Sequence, residues 1–235
     1  MQRTFFLFLL ASFSLHAQSD MTGIELEGAT ALQLSALFSS VDIREATGDA
    51  ITIEHSVIVE GEPRPELAKL DVKRGNGTIY VEETGPTMQQ LNRQSRRENC
   101  CDDQIRMIVR VPAGITVTVE TEYGVVDIAD LAGLVAVNST YGGVTVVYDQ
   151  ASLSQDLDLY SNYGAVDLTL PQGQGARVEL TTEFGELLTD LDIAIDEAAS
   201  EKRDYYERVV GTIGGGGAQV RCKAPYGKVY LRGSD

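Results

Sequence analysis

Apolar residues along this chain recur in pairs two positions apart, and each pair is followed at a fixed offset by an aromatic residue, a glycine and a second apolar pair. Residues 117–128 read VTVETEYGVVDI, residues 135–146 VAVNSTYGGVTV and residues 157–168 LDLYSNYGAVDL. Two further copies, VELTTEFGELLT at 178–189 and VRCKAPYGKVYL at 220–231, keep the same offsets with one lapse at Thr189. An earlier stretch, LDVKRGNGTIYV at 70–81, keeps the apolar sites and the glycine and has Asn76 in the aromatic position. A spacing of two marks one face of a strand, so each copy predicts a strand, a corner and a second strand. Because Val119 and Val126 are an odd number of residues apart, a straight strand would turn the second pair to the opposite face. The chain must therefore bend at the aromatic-glycine pair, and glycine suits a bend through its access to positive φ.

The aromatic positions lie 18, 22, 21 and 42 residues apart, the last gap being two periods with an insertion. A fixed period of this length, with β-branched residues at the apolar sites, predicts stacked coils that bury a shared face. The rival is a sandwich of hairpins, whose strands recur every 8–12 residues or so. Between the copies, RMIVRVPAG at 106–114 and VDLTLPQGQG at 166–175 each place a strand before a Pro-Gly turn, which predicts a third side to the coil. The expected fold class is all-β, a parallel β-helix or solenoid of about 20-residue coils forming a single domain over residues 18–235. Residues 41–53 read as an irregular early coil. Two polar insertions, near 82–104 and 190–212, read as surface excursions, the second as a short helix or a hairpin edge.

The repeat, the LTLPQGQG turn and the ending GTIGGGGAQVRCKAPYGKVYL resemble the bacterial putative-adhesin family of unknown function, which is related to auto-transporter adhesin head domains. The resemblance runs from about Val41 to the end of the chain. It implies a right-handed β-helix and an exported envelope or surface protein of adhesive character, with no established active site to carry over. The chain departs from that pattern in placing Tyr or Phe where many relatives have Asn before the glycine, and in the stretch 82–104.

Residues 1–17, with Arg3, an apolar run from Phe5 and a small residue at Ala17, have the layout of a secretory signal peptide. Ser12, Ser14 and His16 interrupt the run before it could span a bilayer, and no later segment is apolar enough to do so. The expected location is exported: periplasmic, outer-surface or secreted. Formal net charge is −16, and loss of residues 1–17 removes Arg3 without removing an acid. Such a surface repels phosphates and anionic headgroups, so nucleic acid is a poor partner. A glycan or a protein at the cell envelope remains open. The exported chain would keep one histidine, His55, which excludes multi-histidine zinc sites.

Candidate chemistry is thin. Tyr123, Tyr141, Tyr163 and Tyr226, with Phe184, form a column at the coil corners. The four tyrosines are the candidate ligand contacts, as platforms for sugar rings, and the structural alternative is a stacked ladder that holds the corners. Outward Glu120, Glu122, Asp127, Asp158, Asp167, Glu179 and Glu183 offer the oxygens that calcium takes, but solvated strand faces look the same and no acidic loop has ligand spacing. No cofactor or metal is expected. Asp127 and Asp167 share an offset two coils apart, about 10 Å, near the upper limit for an inverting carboxylate pair. No basic residue is expected to accompany the two acids on that face, and a non-enzymatic module is the expectation. A polysaccharide-active β-helix enzyme and an accessory protein of an envelope-stress system are the alternatives. Cys222 falls at an inward offset and is expected to be a buried thiol. Adjacent Cys100 and Cys101 are expected to be free or vicinally bonded.

Overall fold

The computed structural model describes residues 20–94, 103–150 and 153–234 and is all-β, with two large sheets and no closed barrel among the described residues. The expected signal peptide and the Cys100-Cys101 pair lie outside the described residues. The first part of the chain forms β1 (Asp20–Glu25), β2 (Ala31–Ala36), β3 (Ser40–Glu45), β4 (Ala50–Val59), β5 (Glu62–Pro63), β6 (Lys69–Gly75) and β7 (Thr78–Gly85). Helix α1 (Met88–Gln94) and β8 (Gln104–Val111) follow. The repeats supply β9 (Thr116–Thr121), β10 (Val126–Ala129), β11 (Leu134–Ser139), β12 (Val144–Val147), β13 (Leu157–Ser161), β14 (Val166–Leu170), β15 (Ala176–Thr182) and β16 (Leu187–Thr189). Then come β17 (Ala194–Ile195), β18 (Glu201–Arg203), β19 (Tyr206–Ile213), β20 (Ala218–Ala224) and β21 (Val229–Gly233).

Every aromatic-glycine repeat places its first strand in one sheet and its second in the other. Like strands of successive repeats pair in parallel and in register. Val126 lies opposite Val144, Val144 opposite Val166, Val166 opposite Val229, and Val229 opposite Leu187. The four valines are buried and Leu187 is half-buried, whereas Asp127, Thr145 and Asp167 stand on the outer face. Each side chain so buried contributes about 1.5–3 kcal/mol. Repeating the row through five layers turns a weak local pattern into one continuous core between the sheets.

Several expectations need correction. Each repeat contributes two strands and not three sides, because RMIVRV is β8 of the first sheet and VDLTL is β14, the second strand of its own repeat. The stretch 70–81 is not a coil: β6 and β7 form an antiparallel hairpin through Asn76 and Gly77, both with positive φ. The true early repeat is LQLSALFSSVDI at 32–43, where β2 and β3 flank Phe38 and Ser39 stands for the glycine. Val135 is displaced from its expected inward site by a bulge, and Leu134 takes the core position opposite Val117. The insertion 190–212 is a hairpin edge rather than a helix, with β17 and β18 antiparallel to β19.

Stacking order differs from chain order at both ends. The β2–β3 repeat is inserted between β7–β8 and β9–β10, and the last repeat, β20–β21, between β13–β14 and β15–β16. Antiparallel strands flank the stack: β6 on β7 and β4 on β8 at one end, β19 on β15 at the other.

Candidate functional site

The corners bring the predicted aromatics together and add Phe38, which no repeat read from the sequence pointed to. Phe38, Tyr123, Tyr141, Tyr163, Tyr226 and Phe184 form one column in stacking order, with ring centroids 5.1–5.4 Å apart and planes within 16° of parallel. Tyr205, from the hairpin turn between β18 and β19, adds a seventh ring, tilted 33° and centred 5.6 Å from Phe184. The column follows from the backbone. The amide of each corner aromatic donates to the carbonyl just before the aromatic of the preceding layer: Tyr123 to Leu37, Tyr141 to Glu122, Tyr163 to Thr140, Tyr226 to Asn162 and Phe184 to Pro225. Side chains at equal registers must then lie over one another, and flat rings fill that spacing in an offset stack.

Glycine is demanded here by close approach and not by positive φ. A Cβ at Gly142 would lie 1.9 Å from the Gly124 carbonyl oxygen, and one at Gly227 1.9 Å from that of Gly164. Beneath the rings runs a second column absent from the sequence-based expectations: buried Thr121, Ser139, Ser161 and Thr182, two residues before each aromatic. Ser139 Oγ and Ser161 Oγ donate to the Gly142 carbonyl at 2.8 and 2.7 Å, and Thr182 Oγ1 to those of Ala224 and Gly227. These hydroxyls satisfy corner backbone that would otherwise be buried without partners. Their constant offset in four copies was a legible signal.

One end of the column is closed by a buried charge. Among the described residues no corner precedes Phe38, and Glu83 supplies the acceptor in its place. Its Oε2 receives the amides of Leu37, Phe38 and Ser39 at 2.6, 2.9 and 3.1 Å, and its Oε1 the Ser39 hydroxyl at 2.7 Å. His55 Nε2 sits 3.2 Å from both that oxygen and Ser39 Oγ. Burial pushes the Glu83 carboxyl up, but the hydrogen bonds from His55, Ser39 and the backbone outweigh it and hold the group below its ordinary range. Serine, histidine and glutamate also make hydrolytic triads, but there the carboxylate orients the far ring nitrogen. Here one nitrogen faces both partners and all three side chains are buried, so the cluster is a structural cap.

The remaining candidates are dispersed. Asp127 and Asp167 flank Thr145 on the outer face, but Arg232 Nε donates to both Asp167 oxygens at 2.9 and 3.2 Å. A basic residue does accompany the acids, contrary to expectation, and it neutralises one of them. Glu179 pairs with Arg208 and Asp158 with Arg221. Glu120 and Glu122 line a shallow groove of about 390 Å³ with Ser35, Glu82, Asn138 and Thr140. Among the described residues no group of three or more His, Cys, Asp or Glu side chains is placed to hold a metal, and no helix is long and apolar enough to cross a membrane. Cys222 is buried between Leu159 and Leu180 of the neighbouring strands, as expected, and burial, with the Asp158 charge, raises its thiol pKa.

No family model matches the sequence, and no curated relative is found. Among solved structures, a putative cell adhesion protein from Clostridium sporogenes superimposes with a TM-score of 0.63 at 12% identity, over 92% of this chain and 99% of that one. At that identity the likeness is one of fold. A putative adhesin from Bacteroides fragilis aligns over 93% of this chain and 98% of that one at 11% identity, but its TM-score of 0.31 bears no weight.

Proposed function

We propose that this chain is an exported, non-enzymatic adhesin-like or scaffolding module of the bacterial envelope, built as a single right-handed β-solenoid of two-sided coils. The observation that carries the reading is the aromatic column itself. A row of tyrosines about half exposed along one edge is what a soluble monomer rarely leaves uncovered without an interaction to make. Parallel in-register stacking supports the solenoid, and the fold likeness to a protein named for cell adhesion fits the role. The leader-like residues 1–17 support export.

The interior rings do two things at once. Tyr123, Tyr141, Tyr163 and Tyr226 lock adjacent coils face to face, and they leave a row of ring edges exposed along one side. The purified protein without residues 1–17 should be retained by whole bacterial cells or by immobilised envelope glycans. Retention by neither would overturn the adhesive reading. Binding lost by Tyr141→Ala should track its loss of folded protein; a fully folded Tyr141→Ala that no longer binds would place the contact on the middle of the column.

A further inference from the structure

Stacking leaves the interior rings without a free face. Each of Tyr123, Tyr141, Tyr163 and Tyr226 has a neighbouring ring on both sides, so nothing flat can lie against them. Phe38, at the closed end, is half-buried and its ring borders a groove with Ser40, Ile105 and Arg106. At the other end of the column an aromatic ring is largely open to solvent. Tyr205 covers Phe184 on one side and is 75% exposed overall. Its placement is not explained by stability, since a ring so exposed buries little apolar area. It is also held against backbone preference, with a φ of 60° in the two-residue turn Asp204–Tyr205, a conformation that suits glycine or asparagine and strains a bulky side chain.

We infer that Tyr205 is the sugar-stacking platform of this protein, and that it takes one pyranose ring of a neutral glycan; the inference rests on the adhesive reading above and locates its contact. One ring face, with the edge of Phe184 beside it, is far smaller than the roughly 800 Å² that each partner of a stable protein interface buries. It matches the apolar face of a single sugar. Between residues 183 and 207 nine carboxylates stand against two basic side chains. Glu186 is engaged by Lys228 at 2.7 Å, but Glu183 and Asp204 lie next to the two rings in sequence, and carboxylates accept hydrogen bonds from sugar hydroxyls. The same charge repels uronic and other acidic sugars, which selects for neutral glycans.

The test measures binding of neutral hexasaccharides of glucose, mannose and N-acetylglucosamine, with oligogalacturonate as the anionic counterpart, by calorimetry on the protein without residues 1–17. The wild type should bind at least one neutral oligomer and not oligogalacturonate. Tyr205→Gly should lose about tenfold or more in affinity while its melting temperature stays level or rises, because glycine relieves the strained turn. Tyr205→Phe, which keeps the face, should bind as wild type does. Undiminished binding by Tyr205→Gly overturns the platform and leaves the adhesive reading intact. So does a wild type retained by cells that ignores every neutral oligomer. A wild type retained by nothing overturns both.

Discussion

The aromatic column ends in two different ways. Beyond Phe38 lies Glu83, whose buried carboxylate receives three backbone amides. Beyond Phe184 lies one side chain, Tyr205, reaching back from a hairpin turn into solvent. The difference follows from the polarity of the corner ladder. Corner amides point toward the Phe38 end and corner carbonyls toward the Phe184 end, so the first end presents orphan donors and the second orphan acceptors. Buried amides without partners are rarer and less tolerated than under-satisfied carbonyls. The donor end therefore needs a permanent anion from elsewhere in the chain, while the acceptor end can be left to water and to a loosely held ring. A stacked structure is closed where its backbone is least forgiving.

Both ends can be measured against the middle of the column. Val144→Asp would bury a charge between the sheets and should unfold the protein, at a loss above about 4–5 kcal/mol, while Thr145→Asp on the outer face of the same strand should stay within about 0.5 kcal/mol. Equal effects in thermal melts would mean that the inward and outward rows are misassigned. Next in size, Glu83→Leu removes the shared acceptor and should destabilise by about 3–5 kcal/mol in chemical denaturation. A loss under about 1 kcal/mol would show that the closed end is not held by its carboxylate.

A smaller share of that energy should be visible in pH. Because the folded carboxyl of Glu83 titrates below the ordinary value of 4.5, its contribution is complete above that value and declines as pH falls through the folded one. Wild type should lose stability more steeply than Glu83→Leu in this acid window, and parallel curves would sink the assignment. The two terminal phenylalanines give the finest comparison. Phe38→Ala, at the half-buried closed end, should cost about 2–3 kcal/mol and Phe184→Ala, 58% exposed, about 1 kcal/mol. The reverse order would mean that the open end carries more of the stack than its exposure suggests.

Much of this was written in local pattern. Spacing-two apolar pairs, the corner aromatics, the inward Cys222 and the parallel register of Val126, Val144, Val166 and Val229 all follow from a period that each repeat carries within itself. What escaped was whatever depends on which layer lies next. The repeat at 32–43 was hidden because Ser39 replaces the glycine, and that replacement is possible only where no neighbouring corner carbonyl crowds its Cβ. The stretch at 70–81 imitated a coil, yet Asn76 and Gly77 can both adopt the positive φ of a tight hairpin, so it folded back on itself. Glu83, His55 and Ser39 are far apart along the chain and share no motif. Tyr205 belongs to an insertion and not to a repeat. The sequence determined the unit and its corner because short-range alternation and a glycine decide which residues face inward. Only the tertiary structure decided the order of the layers and the chemistry of the two ends, because unsatisfied amides and an uncovered ring face exist only once the stack has a first layer and a last.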